Sequence, residues 1–107
     1  MTAFDDRKAA AETKFARDED MAFRITARRN KLAGQWAAEK MALTAEETDS
    51  YAKSVVQADF EESGDEDVVR KLMGDLVVAG VETNDDEIRK LLAEKMIEAR
   101  RQLMESQ

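Results

Sequence analysis

Not one proline interrupts the chain's 107 residues, and only four glycines do. Proline removes a backbone donor and clashes with the preceding turn, so its absence takes away the strongest helix breaker. Alanine, glutamate, lysine, arginine, leucine and methionine are abundant, and they lose little on entering a helix. β-branched residues are few and scattered. The whole chain is therefore predicted to be helix and short turns, and its length suits one small core rather than two.

Three helix starts are legible. Thr44-Ala45-Glu46-Glu47 has the capping-box pattern, with a threonine hydroxyl placed to accept from an orphan N–H and a glutamate three residues on to return the bond. Ser63-Gly64-Asp65-Glu66 repeats the pattern, and Asn84-Asp85-Asp86-Glu87 is a variant. They divide the chain into four helices behind an N-terminal arm. The first is predicted over about Asp20 to Met41, with Met21, Ile25, Leu32 and Trp36 on one stripe and Phe23, Ala27, Gly34, Ala38 and Met41 on a second. The next is predicted over about Ala45 to Phe60, with Tyr51, Val55 and Ala58 inward. A third, about Asp65 to Val78, has Val68, Val69, Leu72, Met73, Leu76 and Val77 in i, i+3, i+4 spacing, and Gly80 suits its C-terminal cap. The last, about Asp85 to Met104, presents Ile88, Leu91, Leu92, Met96, Ala99 and Leu103. Connections this short predict an antiparallel four-helix bundle over residues 20–107.

Charge is unevenly placed. The net of −7 breaks into −2 over residues 1–20, +4 over 21–43, −8 over 44–67 and −1 over 68–107. A basic first helix followed by an acidic second one predicts that the two pack side by side and neutralise each other. Arg24, Arg28, Arg29 and Lys31 form the basic run. An acidic chain without a nucleic-acid fold signature gives no reason to read that run as a DNA or RNA contact.

Several chemistries lack their parts. The sequence holds no cysteine and no histidine, which removes thiolate chemistry, the commonest general base and the commonest metal ligand. Counted as a calcium loop from Asp59, Gly64 falls at the sixth place, but Arg70 stands at the twelfth, where a bidentate glutamate is needed. Gly74 and Gly80 have no lysine-serine or lysine-threonine pair behind them, so they form no phosphate loop; Gly74 reads instead as a close helix contact. No run approaches the roughly 20 apolar residues a membrane span needs, and the leading segment has no apolar signal region. The expectation is a cytoplasmic protein that is not an enzyme and holds no metal or cofactor.

The arm, residues 1–19, behaves differently. Its large apolar groups, Phe4 and Phe15, share a narrow stripe with Lys8 and Ala11. Continued into the first helix, that stripe runs roughly a quarter turn from Ile25, Leu32 and Trp36. Burying two phenylalanines stabilises by only a few kcal/mol, less than ordering about 19 residues costs. The arm is thus predicted to be mobile or partly helical alone and to order on a partner, with the two aromatics as anchors in a groove.

Phe4-Asp5-Asp6-Arg7, Ala11 to Ala16, Asp18 to Arg24 and Ala27 to Ala38, with Asp59 to Glu62 and Gly64 to Val68, occur in an order that resembles the ζ inhibitor subunit of alphaproteobacterial F-type ATP synthases. The resemblance covers most of residues 4–69. Ala33 stands where leucine is usual in that family, and Ser63 where proline is common. The resemblance implies a four-helix protein whose N-terminal segment enters the interface between catalytic and rotor subunits and blocks rotation in the hydrolytic direction. Its matching positions here are Phe4, Asp5, Asp6, Arg7, Lys14, Phe15 and Arg17. The implied partner is the catalytic sector of the synthase, on the cytoplasmic face of the membrane, with the protein a monomer when free. The residues leave a second reading open: a small helical nucleotide-sensing module that binds ATP or ADP weakly through Arg24, Arg28, Arg29 and Lys31.

Overall fold

The computed structural model describes the backbone of residues 3–59 and 64–105, and the side chains of residues 19–59 and 64–105. Four helices follow one another: α1 (Ala3–Lys40), α2 (Ala45–Ala58), α3 (Glu66–Val78) and α4 (Asp85–Glu105). Among the described residues there is no strand. The first helix begins 17 residues before the predicted start at Asp20, because nothing in the arm, neither proline nor glycine, breaks it.

The ends are closed by specific bonds. At the head of α2, Glu47 N–H donates to Thr44 Oγ1 at 3.2 Å and Thr44 N–H donates to Glu47 Oε1 at 2.9 Å. These bonds hold the Glu47 carboxylate below its ordinary range. Asn84 caps α4 by accepting from Glu87 N–H at 2.8 Å. Two C-termini close in the same way. Gly80, at φ +81°, sends its N–H to Val77 O while Val81 N–H reaches Leu76 O. After α1 the pattern repeats with Ala42 N–H to Glu39 O and Leu43 N–H to Ala38 O, but with alanine rather than glycine at φ +59°.

The third start departs from expectation. Asp65 sits at the N-cap of α3 with no side-chain cap bond, because its carboxylate is turned to Arg29; Ser63 lies outside the described residues. Residues 60–63 of the rejected calcium loop lie outside them too. Arg70, its twelfth position, pairs with Asp67 at 2.9 Å.

α1 is the axis of the bundle. α2 folds back along one side of it, α4 along another, and α3 closes the gap. One core cluster gathers Ala33 and Ala37 of α1 with Val55, Val68, Leu72, Leu76, Ile88 and Leu91, and Trp36 packs half-buried at its edge. A second joins Ile25 to Ala99 and Leu103, with Met21, Leu32 and Met96 beside them. Each fully buried leucine or isoleucine stabilises the fold by roughly 1.5–3 kcal/mol.

Small residues let α1 and α2 meet. A Cβ built on Gly34 would lie 2.8 Å from Ala52 Cα and 3.2 Å from a Val55 methyl. Among the described residues no ion pair joins these two helices, so the contact rests on close backbone approach and not on the predicted neutralisation. Two further expectations are corrected. Gly74 makes no close contact, since a Cβ there would meet nothing within 4 Å. Val77 points outward at 60% exposure, because α3 ends a residue later and its inward line finishes at Leu76.

Gly34→Ala must push backbone against backbone, so it is expected to destabilise by about 1–3 kcal/mol in urea unfolding. Ala42→Gly relieves a left-handed alanine on an exposed turn and is expected to stabilise by about 1 kcal/mol in the same measurement.

Candidate functional site

The arm and the bundle are parts of one rod. α1 has 38 residues, a length of about 57 Å at 1.5 Å per residue. The core clusters hold α1 between Met21 and Met41. Ala3 lies about 27 Å further along the helix than Met21. The molecule measures 64 Å along its longest axis against 25 and 20 Å across.

Helical register relates the arm to the held half. Positions 4 and 15 fall roughly 20° apart around the axis, and both align with Ala22, Arg29 and Ala33. Arg29 and Ala33 lie on the face of α1 that the other helices bury. The arm's aromatic positions therefore share the line of Arg29 and Ala33, which is already exposed at Ala22. The side chains of Phe4, Asp5, Asp6, Arg7, Lys14, Phe15 and Arg17 lie outside the described residues.

The four basic residues of α1 do not form one surface. Arg24 and Lys31 are exposed. Arg28 is half-buried and donates to Gln102 Oε1 on α4 at 2.9 Å. Arg29 is turned inward and only 4% exposed. Its Nε and Nη2 donate to Asn30 Oδ1 at 3.0 and 2.8 Å, and Nη2 also donates to Asp65 Oδ1 at 2.9 Å. A buried guanidinium needs such partners, and here they tie the middle of α1 to the head of α3. A recess of about 270 Å³ beside it is lined by Arg29, Asp65, Arg89, Leu92, Ala93 and Met96. Arg89 is also engaged, by Asp85 and by both oxygens of Glu66. Those carboxylates, Asp85 first, hold its proton more firmly than usual. A phosphate entering this recess would compete with carboxylates for both arginines.

Asn30 and Asp65 were hidden from pattern reading. Asn30 is fully buried in a basic run, and its only sequence signal is its place on the stripe of Phe23, Ala27 and Gly34. A third tie joins α2 to α3: Tyr51 OH donates to Asp75 Oδ2 at 2.8 Å, and Lys71 Nζ donates to the same oxygen at 3.1 Å. Lys71 also lies 5.1 Å from the centre of the Tyr51 ring.

Burial first, then the Asp75 carboxylate, pushes the Tyr51 hydroxyl well above the ordinary phenol range. The folded state thus holds this proton more tightly than the unfolded chain. Its contribution is present in full below about pH 10 and is lost as pH climbs from there toward the folded pKa. Tyr51→Phe is expected to destabilise by about 1.5 kcal/mol near neutral pH. It should also flatten the fall of stability above about pH 10, read by urea unfolding at both pH values.

Among the described residues, no group of three or more acidic side chains is arranged to hold a metal ion, and no helix is long and apolar enough to cross a membrane. No curated protein sequence matches the chain. A structure solved by solution NMR is 44% identical to it, over 81% of this chain and 99% of that one, with a TM-score of 0.72. The family described as ATPase inhibitor subunit zeta matches residues 1–102, which takes in the arm, α2, α3 and nearly all of α4. With a match of that extent on the fold described above, the chain belongs to the ATPase inhibitor subunit zeta family.

Proposed function

We propose that this protein inhibits ATP hydrolysis by an F-type ATP synthase, with residues 1–19 as the inhibitory arm and residues 20–107 as the folded unit that presents it. Membership of the inhibitor family supports the regulatory role. The observation that carries the arm reading is the single helix α1, which joins the arm to the bundle without a break. Force on the arm then passes to a held body, not to a slack tether. Such an arm blocks a rotary motor only if it binds one rotary state better than the others, since equal affinity for all states shifts nothing.

In this reading Phe4 and Phe15 are the apolar anchors, roughly 20° apart around the helix axis. Arg7, Lys14 and Arg17 pair with acidic surfaces of the catalytic and rotor subunits, and Asp5 and Asp6 meet basic ones. The action is on the cytoplasmic side, by a free monomer that carries out no bond chemistry. A weaker reading keeps Arg24, Arg28 and Lys31 as a contact for ATP or ADP phosphates, with no cofactor otherwise. It is favoured by their common register and by the exposure of Arg24 and Lys31. Arg29 would have to leave Asp65 to join it.

Phe4→Ala/Phe15→Ala is expected to leave the helix content and melting temperature of the bundle intact. It should weaken inhibition of the synthase's hydrolysis by at least about 100-fold, as loss of two apolar anchors does. Inhibition at the parent concentration would reject the arm assignment. Shifts of the Arg24, Arg28 and Lys31 resonances on adding ATP, with hydrolysis by the synthase untouched, would favour the nucleotide reading.

A further inference from the structure

α3 carries its apolar side chains in two rows, each with a spacing of four. Val68, Leu72 and Leu76 form one row, all buried. Val69, Met73 and Val77 form the other; the first is buried, the second half-buried and the third exposed. Ala33 and Ala37 of α1, in the same core cluster, repeat with the same spacing. Rows with this period match again after one turn. Slid by a turn toward its own N-terminus, about 5.4 Å, α3 would set Leu72 in the place of Val68 and Leu76 in that of Leu72. Met73 would replace Val69, and Val77 would replace Met73. Gly80 would stand where Leu76 does, a loss that burial of Val77 offsets. Residues 79–84, between α3 and α4, are not helical and reach far enough to follow.

The hydrogen-bonded ties of α3 do not repeat in this way. Arg29 of α1 reaches Asp65 at 2.9 Å, Arg89 of α4 reaches Glu66 at 2.9 Å, and Tyr51 of α2 reaches Asp75 at 2.8 Å. One turn on, the residues in those three places are Val69, Arg70 and Ala79. Arg29, which is buried, would keep its charge and lose its carboxylate. Arg89 would face a like charge, and the Tyr51 hydroxyl would lose its acceptor. Apolar packing thus admits two seats for α3, and a donor from each neighbouring helix admits one.

We propose that α3 has a second seat one turn along the bundle, and that Arg29, Arg89 and Tyr51 lock it out of that seat. α3 is then a one-turn ratchet held closed by its polar ties. Val77 is the spare member of its row, exposed in the observed seat and covered in the other. A buried polar group costs stability and selects one packing, as a single polar residue does in the seam of a coiled coil. With apolar side chains at positions 29 and 89, the same contacts would hold α3 in either seat. Whatever draws Asp65 and Glu66 away from their arginines would release the step.

The test uses the full chain with Arg29→Met/Arg89→Met. The parent has no cysteine, so nitroxides at Arg24→Cys on α1 and Gly74→Cys on α3 label two positions only. Arg24 is exposed, and a Cβ at position 74 meets nothing within 4 Å. Asp65 lies beside Arg29, and Asp75 beside Tyr51, whose neighbour Ala52 faces Gly34. α3 therefore runs along α1 in the same direction, and the slide brings the labels together. Distances between the nitroxides should show one separation in the chain with its ties intact. In the variant, a second separation about 4 Å shorter should hold at least about a tenth of the molecules, with helix content unchanged. Adding Val77→Asp, tolerable only where position 77 is exposed, should restore the single separation. If the double variant does not fold, Arg29→Met alone takes its place. One separation in the variant overturns the proposal. So does a second separation that survives Val77→Asp, or a broad spread, since neither is a step between two seats. Loss of the fold in both variants overturns it too, because apolar side chains of similar volume can stand in for a lock of this kind.

Discussion

The close approach of α1 and α2 at Gly34 is the contact on which the rest of the bundle depends. Without a side chain at that point, the backbone of α2 comes within reach of α1 at Ala52. Ala33, Ala37 and Ala38 keep the neighbouring surface of α1 thin. A helix with such a narrow waist can be flanked by three others in a chain of this size. The larger side chains of α3 and α4 then fill the remaining space: Val68, Leu72 and Leu76 from one, Ile88, Leu91 and Leu92 from the other. Larger residues on α1 would have forced its neighbours apart and left that core open.

Polar ties fix what apolar packing leaves loose. Two helices packed through alanines can slide, because small residues give few interlocking features. Arg29 prevents this for α3 by reaching Asp65 from inside the bundle, with Asn30 completing its bonding. Tyr51 and Asp75 do the same between α2 and α3, and Arg28 and Gln102 between α1 and α4. Arg89 adds a bond from α4 to the first turn of α3 at Glu66. Each cross-helix tie sets the position of one helix along another. Together they hold α1 at one height in the bundle, which decides how much of it extends past Met21.

That geometry suits an inhibitor that works by position. The arm shares a helix with the held segment. Its aromatic positions share the register of Arg29 and Ala33. The same logic separates the two faces of α4, one spent on the core and the other turned outward.

The sequence by itself determined the number of helices, the capping of α2 and α4, the left-handed glycine that ends α3 and nearly all of the core. Those features depend on residues close together in the chain: Thr44 with Glu47, Asn84 with Glu87, and apolar side chains repeating every three or four positions. The arm's stripe and its offset from Ile25 were legible for the same reason. Tertiary structure alone decided that Arg29 lies inside while Arg24 and Lys31 stay out, that Gly34 and not Gly74 is the close contact, and that Val77 faces water. It also decided that Asp65 serves α1 and not its own helix. Each of these depends on which element stands opposite, and periodicity carries no information about that. A helical pattern tells which residues share a face; only the packed bundle tells what the face meets.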